Sequence, residues 1–184
     1  LTNIERMFNR APYALVTLVM RLRGRVNERS LREAVEKVSQ RHPHLRSRIV
    51  AQGEEGPRLT TEGAGEAWVR TIPRESDDHW IRAVEESSRI PFDFQARPAV
   101  RFLLLESPRA CDVVILCHHI ICDGLSLAYV ARDLLAHLAN PVRPVEALAH
   151  AAPMDRANMP AKVKANGIAR MAIGGMNRRW ARER

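Results

Sequence analysis

Val113-Val114-Ile115-Leu116-Cys117-His118-His119-Ile120-Ile121-Cys122-Asp123-Gly124 decides how the rest of this chain is read. Its opening apolar run has no polar interruption, which predicts a strand buried on both faces; a half-exposed strand would alternate. Downstream, Leu127, Ala128, Ala131, Leu134, Leu135 and Leu138 recur at helical spacing. They predict a helix over 125–139 with one core-facing stripe, ended by Asn140-Pro141. Two histidines and an aspartate therefore stand where a buried strand passes into a helix. Such junctions hold functional side chains well, because the strand fixes them and the loop exposes them.

Upstream, residues 99–105 predict a strand that a turn at Ser107-Pro108-Arg109 joins to the buried run at 112–117. Pro91-Phe92-Asp93-Phe94 reads as another turn. An acid-rich first turn from Ser76 opens a helix through Ser88, with Trp80, Ile81 and Val84 facing inward. Residues 67–72 and 45–51 predict short strands, separated by a glycine-rich surface loop or irregular hairpin at 52–66. Before Pro43, a helix presents Leu31, Ala34, Val35 and Val38 to the core. Asn27 is one candidate cap for it, and Ser30 with Glu33 is a capping box if it starts later. Residues 13–23 form a long strand whose Ala14, Val16, Leu18, Met20 and Leu22 share one apolar face. This order implies an α/β fold: a two-layer mixed sheet with helices packed on it.

The chain has 184 residues, 46% of them hydrophobic, enough for one domain with a sizeable core. No apolar run approaches the roughly 20 residues that cross a bilayer, so no membrane span is expected. Charged residues begin at once, unlike a signal peptide, and Leu1 in place of Met suggests a trimmed or partial chain. Cys111, Cys117 and Cys122 are an odd set, which favours reduced thiols in a cytoplasmic protein over a disulfide framework. The net charge is +8, of which residues 161–184 contribute +6. Nucleic-acid binding through that tail is disfavoured, because Trp180 is its one aromatic and no stacking platform accompanies the charges. Residues 141–160 hold four prolines and no periodicity, which is linker composition. Residues 161–184 predict a helix with Ile168, Met171, Ala172, Met176 and Trp180 on one side, weakened by Gly174-Gly175.

Imidazole can take a proton from a hydroxyl or amine near neutral pH, since its unperturbed pKa is about 6.5. Adjacent histidines on a strand point to opposite sides, so one faces the core and the other can face a cavity. Asp123 could orient a ring or pin the loop by an ion pair. Gly124 lacks a Cβ where a ligand or a neighbouring chain must come close. Packing of a strand-end histidine is the plain alternative to catalysis. A zinc site built from His118, His119, Cys122 and Asp123 competes, but the adjacent pair diverges and no second ligand cluster exists; the expected metal is none. A Cys122 nucleophile would lack an orienting pair.

The stretch His118 to Gly124 matches His-His-x-x-x-Asp-Gly in full and resembles the condensation-domain and chloramphenicol-acetyltransferase-like superfamily of acyltransferases. Three further stretches resemble that family in its order. Leu1-Thr2 through Glu5-Arg6-Met7-Phe8 is similar to its opening segment, and Arg41-His42-Pro43-His44-Leu45-Arg46 to its Arg-His-x-x-Leu-Arg element. Pro91-Phe92-Asp93 followed by Arg97-Pro98-Ala99-Val100-Arg101 is similar to its Pro-Phe-Asp segment and the strand after it.

The resemblance implies that His119 is the catalytic base and that His118 supports it. It makes Asp123 a structural anchor salt-bridged to an arginine, Arg46 first and Arg101 second. It implies acyl transfer from a coenzyme A or carrier-protein phosphopantetheine thioester to a hydroxyl or amine, in natural-product or lipid biosynthesis, with no bound cofactor. The partners implied are acyl-CoA or an acyl or peptidyl carrier protein. Residues 1–140 correspond to the family's first lobe, and 141–184 to a linker and basic segment leading to a second lobe. That lobe, with its Asp-Phe-Gly-x-Gly type element, is missing, so the chain is expected to be inactive without it. The alternative is a non-catalytic half-domain that binds a carrier protein or partner enzyme. The substrate-binding residues are not assignable from the sequence.

Overall fold

The computed structural model describes residues 5, 8, 9, 11, 13–50 and 57–149. The helix expected within 161–184 lies outside them. Among the described residues the chain runs β1 (Leu15–Arg23), α1 (Glu28–Arg41), a 3-10 turn (Pro43–Arg46), β2 (Arg48–Val50), β3 (Arg58–Thr60) and β4 (Trp68–Pro73). It continues through α2 (His79–Ser88), β5 (Val100–Glu106), β6 (Ala110–His118) and α3 (Gly124–Ala139).

Four strands form a mixed sheet in the order β1-β6-β5-β4, while β2 and β3 pair as a separate antiparallel ribbon. β6 lies antiparallel to both β1 and β5, so it is central and buried on both faces. That explains its unbroken apolar run. Val113, Ile115 and Cys117 join Leu31, Val35 and Val38 of α1 and Leu127, Ala131 and Leu134 of α3 in one core. Val114 points the other way, into a smaller core with Leu103, Leu105 and Ala83, flanked by Trp80 and Val84 of α2.

Helices thus cover both faces, and α2 adds a third layer to the two expected. The reason is topological. β4 and β5 are parallel neighbours, and parallel neighbours require a crossover, which α2 supplies.

Other differences are local. Asn27, not the Ser30–Glu33 pair, caps α1: its Oδ1 accepts from the Ser30 N–H at 2.8 Å. α2 starts at His79 and turns Ala83 and Ser87 inward, leaving Ile81 44% exposed. In α3, Ala128 is exposed, while Val130, Asp133 and His137 are buried. Buried polar residues were invisible to an apolar-stripe reading. The expected strand at 45–51 shrinks to β2, because Leu45 belongs to the 3-10 turn.

Candidate functional site

β6 ends at His118, whose backbone N–H donates to the Ala99 carbonyl at 2.9 Å. The next residue's N–H donates to the Ala14 carbonyl at 2.8 Å. The two histidines therefore leave the sheet between the ends of its neighbouring strands, and their environments then diverge.

His118 has no exposed surface. Its Nδ1 accepts from the Ile120 N–H at 3.2 Å, so the proton resides on Nε2, which donates to the Ala11 carbonyl at 2.9 Å. Phe94 meets the ring edge-on at 4.9 Å and Phe92 at 6.1 Å. Burial pushes its pKa below the ordinary value, the Ala11 bond opposes this, and a charge on His119 would add to it. The ring is held neutral with both nitrogens occupied.

His119 is partly exposed, and its ring stacks on Phe8 with centroids 4.8 Å apart and planes 12° from parallel. An aromatic residue on the short helical segment before β1 carried no signal of contact with residue 119.

Asp123 departs from expectation. It is the N-cap of α3, its Oδ1 accepting from the Ser126 N–H at 2.7 Å. Hydrogen bonds from the Ser126 side chain and backbone hold its carboxyl below the ordinary range. Among the described residues no arginine reaches it. Arg46 is exposed and donates from Nε to the Ser39 carbonyl at 2.9 Å. Arg101 donates to the carbonyls of Ser87, Ile90 and Pro91 at 2.6, 2.8 and 2.7 Å, closing the end of α2. Its guanidinium also lies 4.1 Å from the Phe92 ring centroid. Both arginines answer backbone acceptors near a helix end, where a guanidinium's several donors are satisfied without a carboxylate. An aspartate before a helix with Ser126 three residues on is itself a capping signal.

The Arg-His-x-x-Leu-Arg element is anchored through its other end. Asp133 of α3, only 5% exposed, accepts from Arg41 Nε at 2.8 Å and bonds His42 Nε2 at 2.9 Å. Arg132 reaches its other oxygen at 2.8 Å. Arg41 also donates to the Glu146 carbonyl at 2.7 Å and accepts, through its own carbonyl, the Leu148 N–H at 2.8 Å.

A groove of about 410 Å³ opens between that element and the motif loop, lined by Pro43, Leu45, Ile121, Cys122, Tyr129 and Leu148 among others. A second, of about 880 Å³, runs along α1 and residues 61–69 and includes Arg46. His119 lines neither. Gly124 opens α3, and a Cβ there would meet nothing within 4 Å, so no described residue requires the glycine. No group of three or more metal-ligating side chains converges among the described residues. All three cysteines are free and buried.

A mixed α/β sheet that presents His-His-x-x-x-Asp-Gly at the end of an inner strand is the arrangement expected of the condensation-domain and chloramphenicol-acetyltransferase-like family. The chain belongs to the condensation-domain family, whose model matches residues 4–140. Nonribosomal peptide synthetase agiA of Aspergillus flavus is 26% identical over 134 residues, covering 71% of this chain and 2% of the synthetase. Cyclosporin synthetase simA of Tolypocladium inflatum is 25% identical over 146 residues, 78% of this chain and 1% of the synthetase. Among solved structures, SgcC5 of Streptomyces globisporus matches with TM-score 0.59 at 26% identity, over 77% of this chain and 33% of that one. Tallysomycin biosynthesis protein TlmII matches with TM-score 0.69 at 23% identity, over 88% and 42%, a likeness of fold alone. The chain thus spans a small fraction of those synthetases and well under half of those structures. No helix among the described residues is long and apolar enough to cross a membrane.

Proposed function

We propose that this lobe carries the base of a condensation reaction: transfer of an acyl or peptidyl group from a phosphopantetheine thioester on a carrier protein to an amine or hydroxyl. Acyl-CoA is the alternative donor of the same chemistry. His119 takes the proton from the attacking N–H or O–H as the acceptor's bond to the thioester carbonyl forms. The C–S bond then breaks, and the departing thiolate takes up a proton. His118 supports the loop, Asp123 caps α3, and Gly124 leaves room beside them for substrate.

The observation that carries this reading is the division of labour within the histidine pair. His118 spends both ring nitrogens on backbone partners, whereas His119 is accessible and its ring makes no hydrogen bond to a described residue. Residues 1–140 form the lobe in this reading. Residues 141–184 lead toward a second lobe, supplied by the same or another chain, that completes the site.

The test is a thioester-release assay on the complete condensation unit. His119→Ala is expected to lower turnover by at least about 100-fold with an unchanged fold. Turnover near wild type would remove His119 from the mechanism. The alternative reading is that the lobe binds a carrier protein without turnover. That reading gains if carrier binding persists and release stays at background once the second lobe is present.

A further inference from the structure

Cys117 and Cys122 bracket the two histidines, and their thiols converge on one backbone oxygen. Cys117 Sγ lies 3.8 Å from the His118 carbonyl oxygen and Cys122 Sγ lies 4.0 Å from the same atom. Cys122 lines the 410 Å³ groove, which gives a small solute a route to its sulfur. Cys111, at the far end of β6, shares none of this geometry.

We propose that Cys117 and Cys122 form a dithiol modification site, which a peroxide converts to a disulfide across the motif loop. The Cys122 thiolate attacks a peroxide oxygen, the O–O bond breaks, and Cys122 becomes a sulfenic acid with release of water or an alcohol. Cys117 then attacks the Cys122 sulfur. The S–S bond forms, the S–O bond breaks, and the hydroxyl leaves as water with the Cys117 proton. Two electrons pass from the thiols to the peroxide, which supplies the oxidant.

Burial and the neighbouring Cys122 thiol push the Cys117 thiol well above its ordinary range. The second step is therefore slow at neutral pH and quickens as pH rises. Closing the bond draws the sulfurs to about 2.05 Å and encloses His118 and His119 in a short ring. That contraction reshapes the loop on which His119 stands. The loss of acyl transfer on oxidation rests on the catalytic reading of His119; the cross-link itself does not.

Phenylarsine oxide, which bridges paired thiols, should bind the unmodified 184-residue chain at one equivalent. Hydrogen peroxide should lower the mass by about 2 Da, join the Cys117 and Cys122 peptides, and leave Cys111 free. The reaction should run faster at about pH 9 than at about pH 7 and reverse with dithiothreitol. Cys122→Ser and Cys122→Ala should each prevent it. Oxygen added to Cys122 without a cross-link, a disulfide involving Cys111, or no arsenical bound would each overturn the proposal. In the complete unit, oxidation should abolish transfer reversibly. A cross-link that forms while transfer continues overturns the link to activity, and a fully active His119→Ala would instead locate the failure in the catalytic reading.

Discussion

The imidazole of His119 lies face to face with the ring of Phe8, 4.8 Å between centroids. In the proposed reading His119 is the base, and among the described residues an aromatic face, rather than a hydrogen bond to its second nitrogen, orients its ring. Misplacing a catalytic group by about 1 Å can cost on the order of 100-fold. Phe8→Ala in the complete unit is therefore expected to lower kcat by about 10- to 100-fold with little change in KM. Phe8→Tyr or Phe8→Trp should restore most of it, because either ring can stack. A uniform rise in KM would assign Phe8 to substrate binding instead.

His118 should answer to stability rather than to turnover alone. His118→Ala strands the Ala11 carbonyl and the Ile120 N–H in the interior and leaves a cavity against Phe94. The expected loss is about 2–4 kcal/mol by urea denaturation. His119→Ala, which removes a partly exposed ring, should cost less than about 1 kcal/mol.

The cap at Asp123 separates two roles that one alanine variant would confuse. Asp123→Ala should lower stability by about 1 kcal/mol, whereas Asp123→Asn should cost only a few tenths, because asparagine caps a helix nearly as well. If the carboxylate charge itself held the loop, Asp123→Asn would be as damaging as Asp123→Ala. Denaturation of the two variants side by side decides between them.

Asp133 joins α3 to the C-terminal end of α1 through the partly buried Arg41 and His42, while the exposed Arg132 reaches its other oxygen. Asp133→Ala is expected to destabilise the chain by about 1–3 kcal/mol, because part-buried donors on Arg41 and His42 lose their acceptor. Amide exchange should also quicken at Leu148, whose N–H rests on the Arg41 carbonyl.

Acid should lower the stability of this chain over two pH ranges. Burial pulls the pKa of His118 below its ordinary value, so the unfolded state protonates first and stability declines as pH falls below about 6.5. His137 adds to that slope, held down by burial and by Lys37 and Arg143. At Asp112, burial pushes the carboxyl up, but Arg21 and Arg74 outweigh it. At Asp133, burial is likewise outweighed by His42, Arg132 and Arg41. Both are left below the ordinary range, so their contribution is whole above about pH 4 and drains away as pH drops through the lower folded values. Urea midpoints measured from about pH 8 to pH 3 should show both slopes, and His118→Gln should flatten the first.

The layout of strands and helices was legible because β6 and the stripes of α1 and α3 obey simple periodicities. The positions missed are polar ones or contacts across long sequence gaps. Asp133 sits on the buried side of α3 because Arg41 and His42 at the end of α1 meet it there, which no local pattern encodes. The Asp123–Arg46 pairing came from resemblance, and the geometry turns each residue to a backbone partner of its own. The contrast between the two histidines was partly legible, since neighbours on a strand must diverge. Which of them stayed accessible depended on Ala11, Phe94 and Phe8, more than 20 residues away in sequence.

Arg41 holds Asp133 and the Glu146 carbonyl with its guanidinium and the Leu148 N–H with its own backbone, and Lys37 donates to the Pro141 carbonyl. The nine residues after Asn140 are therefore moored to α1 rather than swinging as a tether. They deliver the chain to a fixed point at the mouth of the groove beside the motif loop. The chain therefore leaves the described residues beside the motif loop, from an address set by contacts with α1.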